Sequence, residues 1–97
     1  MRYEIFLAPE AVADIKRLRA SLRAAIRDAI EEHLRNQPTL LSRSRIKRLR
    51  GTARPHYRLR VGDARVFYDV VGHSVEVLAV VPKSEANRWL RETGERQ

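Results

Sequence analysis

Cysteine is absent from the 97 residues, which excludes both a disulfide framework and thiolate metal ligation. Histidine is nearly so. His33, His56 and His73 are scattered without carboxylate neighbours at ligand spacing, so neither a metal nor a cofactor is expected. The 4 glycines form no phosphate-binding loop, and no nucleophile motif occurs. No apolar run approaches the roughly 18 residues that a membrane span requires. Arg2 and Glu4 interrupt the N-terminus, which therefore does not read as a signal peptide. Acid is also scarce: 12 Asp and Glu stand against 20 Lys and Arg, leaving a formal net charge of +8. A chain this short has room for one domain, expected over residues 1–97, with a thin core. A cytoplasmic protein with no membrane contact is the default expectation. The charge says nothing about fold, but it favours a polyanion or an acidic partner. An arginine-rich composition alone could produce the same total, so the placement of the charges decides.

Along the chain, Arg2 to Leu7 alternate loosely and read as a first strand. Pro9 suits the first turn of a helix. Val12, Ile15 and Leu18 recur at helical spacing, with Asp14, Lys16 and Arg17 placed outside. Ser21 reads as the N-cap of a second helix. That helix carries Leu22, Ala25, Ile26, Ala29, Ile30 and Leu34 on one stripe and ends by Pro38. The two helices together make an αα-hairpin. From Arg43 to Arg65 there are nine basic residues against the single acid Asp63, with Gly51 to Pro55 read as a loop. Three β-rich segments follow, Tyr57–Val61, Ala64–Val71 and Ser74–Val81, and then a short helix opening at Ser84 and Glu85. Fraying is expected after Glu92. The class is α+β.

The β connections are short enough to predict neighbours. Gly62-Asp63 suits a type II′ hairpin, which pairs Val61 with Ala64, Arg60 with Arg65, Leu59 with Val66 and Arg58 with Phe67. Side chains alternate, so Tyr57, Leu59, Val61, Val66, Tyr68 and Val70 share an apolar face that the helices can cover. A Gly72-His73 turn adds Val75, Val77 and Ala79 to that face. The opposite face then holds Arg58, Arg60 and Arg65 among Phe67, Glu76, Leu78 and Val80. Like charges directly across a hairpin are destabilising, and an anion between them is the natural remedy. Splaying into solvent, or pairing with Asp63, Asp69 or Glu76, is the alternative. A surface mixing arginines and aromatics suits stacked bases and clamped phosphates.

The order of elements, with Leu49-Arg50-Gly51, Tyr57-Arg58-Leu59-Arg60 and Ala64-Arg65-Val66-Phe67-Tyr68, resembles the RelE/ParE superfamily of type II toxins over nearly the whole chain. The resemblance implies a small bacterial toxin with a cognate antitoxin as partner. In the RelE branch it implies metal-free cleavage of mRNA on the ribosome, by attack of a 2′-hydroxyl on the adjacent phosphate. Arg58, Arg60 and Arg65 match the family's catalytic basic positions. Lys47, Arg48, Arg50 and Lys83 become candidates for holding RNA. The likeness is incomplete past the last strand: Ser84 follows Lys83 where an arginine is usual, and Trp89 stands in the region of a tyrosine. His56, beside the basic strand, is a candidate for acid–base work and Trp89 for stacking, although a plain loop histidine remains the simpler reading. The alternative function that the resemblance implies is a ParE-like inhibitor of DNA gyrase with no catalytic residues of its own.

Overall fold

A computed structural model describes residues 2–96 of the chain, the last two by backbone alone. Strand β1 (Glu4–Leu7) leads into α1 (Pro9–Lys16) and α2 (Ala20–Ala29). Ala8 precedes Pro9 and is therefore held extended, which separates strand from helix cleanly. Helix α2 continues as a wider π turn over Ile30–Leu34, closed by the Arg35 N–H donating to the Ile30 carbonyl. Then come β2 (Ile46–Arg48), β3 (Thr52–Arg54), β4 (Tyr57–Val61), β5 (Ala64–Val71) and β6 (Ser74–Pro82). A 3-10 turn, Lys83–Glu85, opens α3 (Ala86–Thr93), and β7 (Glu95–Arg96) follows. Five strands form one mixed sheet in the order β1-β6-β5-β4-β2, with β1 parallel to β6; β3 and β7 form a separate pair.

The β4–β5 register is the expected one, Arg60 opposite Arg65 and Arg58 opposite Phe67. Gly62 and Gly72 take φ of +55° and +60°, and among the described residues only glycines have positive φ. Each hairpin thus carries its left-handed residue at the first loop position, as a II′ turn requires. Elsewhere the sequence reading needs correction. The meander is extended by β2, which lay hidden in the basic stretch, and Gly51–Pro55 is not all loop because β3 occupies its middle. Ser21 lies inside α2, whose N-cap is Arg19. Ala25 is exposed. Residues 93–96 are a helix end and a short strand rather than a frayed tail, and Gln97 lies outside the described residues.

Two corrections bear on packing. The β5–β6 register shifts between Phe67 and Tyr68, so Val66 faces Val80 and Phe67 faces Ala79, with Leu78 as the extra residue. A bulge exchanges the faces of everything beyond it. Val80 therefore joins the core with Leu59, Val66, Tyr68, Val75 and Val77, and Ala79 turns to the other side. Asp14, placed outside by the helical reading, is 6% exposed. Strand β1 ends at Leu7, opposite Val77, and so cannot partner the backbone N–H of Val80. The Asp14 carboxylate accepts that N–H at 2.9 Å, and its other oxygen accepts from Arg17 at 2.5 Å. A buried donor left without a partner costs about 1–3 kcal/mol. Asp14→Ala is expected to lower the unfolding free energy by that amount, read from the midpoint of urea denaturation. A loss under about 0.3 kcal/mol would contradict this role for Asp14.

Candidate nucleic-acid interface

The sheet face away from α1 and α2 is organised in cross-strand ranks. The first runs Lys47, Arg58, Phe67, Ala79 across β2, β4, β5 and β6. In the next, Arg60 faces Arg65 and Arg65 faces Val81, while the Arg60 N–H donates to the Arg45 carbonyl at 2.8 Å. Arg45 thereby continues the basic rank beyond the strand. On the other side of the first rank, one step past the Tyr57–Tyr68 pair, His56 meets Asp69. Consecutive ranks are separated by two residues of strand, about 7 Å.

Helix α3 lies over the middle of this face. The Trp89 ring stacks on Phe67 with centroids 4.8 Å apart and 8° between planes, and its indole N–H donates to Glu10 at 2.8 Å. Phe67 is buried as a result.

The arginines are not neutralised within the protein. Among the described residues, none of Arg58, Arg60 and Arg65 forms an ion pair. Glu76 and Asp69 are instead engaged by Arg54, at 3.3 and 3.5 Å, and Asp69 also by His56. Burial, then repulsion from Arg65 and Arg60, pushes the Arg58 guanidinium below the ordinary arginine value. Burial and repulsion from Arg60 lower Arg65 likewise, against an opposing pull from Asp63. Arginine remains cationic through such shifts. The Arg58 Nε is buried with no hydrogen-bond partner. A buried donor of that kind is unusual in a finished structure and calls for an acceptor.

The candidate residues therefore separate. Arg58 and Arg60 keep their place on the open face. Arg65 does not present a free guanidinium: it is 6% exposed and donates at 2.9 Å to the carbonyls of both Gly62 and Ala64. Lys47 joins the Arg58 rank, but Arg48 points to the opposite side, where it sits over Tyr57 at 5.7 Å and reaches the phenol oxygen. Arg50 lies beside α3 near Asn87 and Arg91, and also lines a cavity with Lys47 and Arg48. Lys83 is exposed and its backbone N–H donates to Asp63, which puts it at the Arg65 end. Val80 is in the core and does not flank the arginines, and Phe67 is covered by Trp89. Sequence reasoning missed Arg45 as a member of the basic rank, and it offered Asp69 to the arginines rather than to His56; extending the ladder by one step at each end would have found both.

The order of strands and helices with this basic face defines the class. Among solved structures, a free-state double mutant of E. coli toxin RelE has TM-score 0.71 and 23% identity, covering 95% of this chain and 94% of that one. The RelB-RelE antitoxin-toxin complex from Methanococcus jannaschii gives TM-score 0.68 at 26% identity, over 87% and 96%. The archaeal RelE-RelB complex from Pyrococcus horikoshii gives 0.64 at 25%, over 86% and 97%. The fold is that of the RelE/ParE superfamily. No curated protein matches in sequence. Residues 5–87 match the model of the family described as "ParE toxin of type II toxin-antitoxin system, parDE", and the chain belongs to that family.

Because Arg60 and Arg65 oppose one another without an acid between them, removing one charge should relieve the hairpin. Arg60→Ala is expected to raise the unfolding free energy by a few tenths of a kcal/mol at low salt. The gain should shrink as salt screens the repulsion. Urea melts at two ionic strengths check both statements.

Proposed function

We propose that this toxin cleaves mRNA on the ribosome, as a metal-independent endoribonuclease that arrests translation. The observation that carries the reading is the unpaired Arg58 Nε within a cluster of cations that no carboxylate neutralises. A scissile phosphate supplies the missing acceptor, and its non-bridging oxygens gain negative charge during in-line attack by the 2′-hydroxyl. A guanidinium that stabilises such charge contributes catalysis of about 10²–10³-fold. On this reading Arg58 contacts the phosphate, while Arg60, Lys47 and Lys83 hold the flanking backbone. Arg65 shapes the turn and adds field rather than a direct contact.

The companion is a cognate antitoxin. A groove between β1 and the helices is lined by Ile5, Leu7, Ile15, Ile26 and Ile30, together with Arg23, Arg27 and the paired Glu31 and Arg35. Apolar anchors on an acidic segment suit that lining, and the charge of +8 speeds their encounter.

The family match favours a second reading, inhibition of DNA gyrase without catalysis. The two separate in one experiment. Purified toxin is incubated with programmed ribosomes, and separately with gyrase and relaxed plasmid. The nuclease reading expects cleaved mRNA and unimpaired supercoiling. Arg58→Ala should cut the cleavage rate by about 10²-fold or more. Intact mRNA together with blocked supercoiling would replace the nuclease reading with the gyrase one.

A further inference from the structure

His56 is not a plain loop histidine. Its ring Nδ1 lies 2.8 Å from Asp69 Oδ1, and its backbone N–H donates to the same oxygen at 2.5 Å. Asp69 is 3% exposed and fixed from its other oxygen by Arg54 at 3.5 Å. The histidine carbonyl in turn accepts the Leu49 N–H at 2.7 Å. The residue is therefore held at backbone and ring alike. A carboxylate can only accept, so Nδ1 carries the proton of the neutral ring and Nε2 keeps a free lone pair. Being two residues before Arg58, His56 shares its face of β4, about 7 Å along the strand. A ring fixed by a buried carboxylate is the arrangement of an oriented base.

We propose that His56, oriented by Asp69, is the general base of RNA cleavage at the Arg58 cluster; this rests on the nuclease reading above. Nε2 takes the proton of the 2′-hydroxyl as that oxygen bonds to phosphorus. The bond from phosphorus to the 5′-oxygen breaks, and the 5′-oxygen takes a proton from water. His56 then gives its proton to the hydroxide left behind. The products are a 2′,3′-cyclic phosphate and a 5′-hydroxyl. Arginine cannot take this part, because it stays protonated, and Trp89 cannot, because indole only donates. The charged groups around the ring are Asp69 on β5, Arg54 on β3, Glu76 on β6 and Arg58 on β4, with the Tyr57 ring 6.5 Å away. Asp69 is the one in direct contact.

The test uses the full chain with programmed ribosomes. Wild type should cleave faster as pH rises, as removal of a proton by a general base requires, and should leave cyclic-phosphate ends. His56→Gln should lose about 10²-fold or more in rate and lose that pH dependence. It should still melt like wild type and still bind ribosomes carrying a 2′-deoxy substitution at the cut site. Where His56→Gln does not fold, His56→Asn keeps a donor toward Asp69 and is read by the same criteria. A folded variant that cleaves at the wild-type rate with the wild-type pH profile overturns the assignment of His56 while leaving the nuclease reading intact. A flat wild-type profile does the same. Wild type that cuts no mRNA at any pH overturns both.

Discussion

A two-residue turn at Gly62-Asp63 sets Arg60 against Arg65, and the rest of the sheet follows from that register. Side chains alternate with a period of two, so fixing one pair fixes the face of every residue in β4 and β5. Leu59, Val66 and Tyr68 are driven under α1 and α2, and the arginines are driven to the other side. The apolar half offsets the unfavourable half. Burying large side chains such as Tyr68 and Leu59 is worth roughly 1.5–3 kcal/mol each, against a few tenths for opposed like charges. The hairpin can carry an unneutralised pair because its stability is made on the opposite surface.

How far the sequence is legible depends on the range of the interaction concerned. Turn residues and alternation act locally, which is why the Arg60–Arg65 pairing and the core role of Val66 can be read from the order of residues. The bulge at Leu78 has no such local sign. It shows only in the pairing of β6 with β5, and it moved Val80 to the core and Ala79 away from it. Asp14 looks like surface on a helical projection, yet the backbone N–H that it satisfies lies 66 positions away. The site divides in the same way. The facing of Arg58 and Arg60 is a local matter. The return of the Arg65 guanidinium to its own turn and the pairing of His56 with Asp69 depend on side-chain conformation across strands.

Trp89 illustrates a replacement that residue type alone misrepresents. Read against the family pattern, it is a tyrosine lost. In the fold it is a wide ring that covers Phe67 and ties α3 to the first turn of α1 through Glu10. A tyrosine offers a proton and a smaller stacking surface; tryptophan gives up the proton and covers more area. On the proposed nuclease reading the acid–base chemistry must come from elsewhere, and His56 is a titratable group that shares the face with Arg58 while its ring is fixed by a buried acid.

Arg54 explains why the cluster remains charged at all. The acids on this side of β5 and β6 are Asp69 and Glu76. Arg54 engages both, and His56 takes the remaining oxygen of Asp69. The partners are thus distributed so that a cation outside the Arg58–Arg60 rank uses up the negative charge. Among the described residues no carboxylate pairs with Arg58, and its buried Nε has no hydrogen-bond partner. An anion that binds there gains both the desolvated guanidinium and relief of repulsion between neighbouring arginines. By linkage, such binding stabilises the folded state by RT ln(1 + L/Kd), where L is the free concentration of the anion.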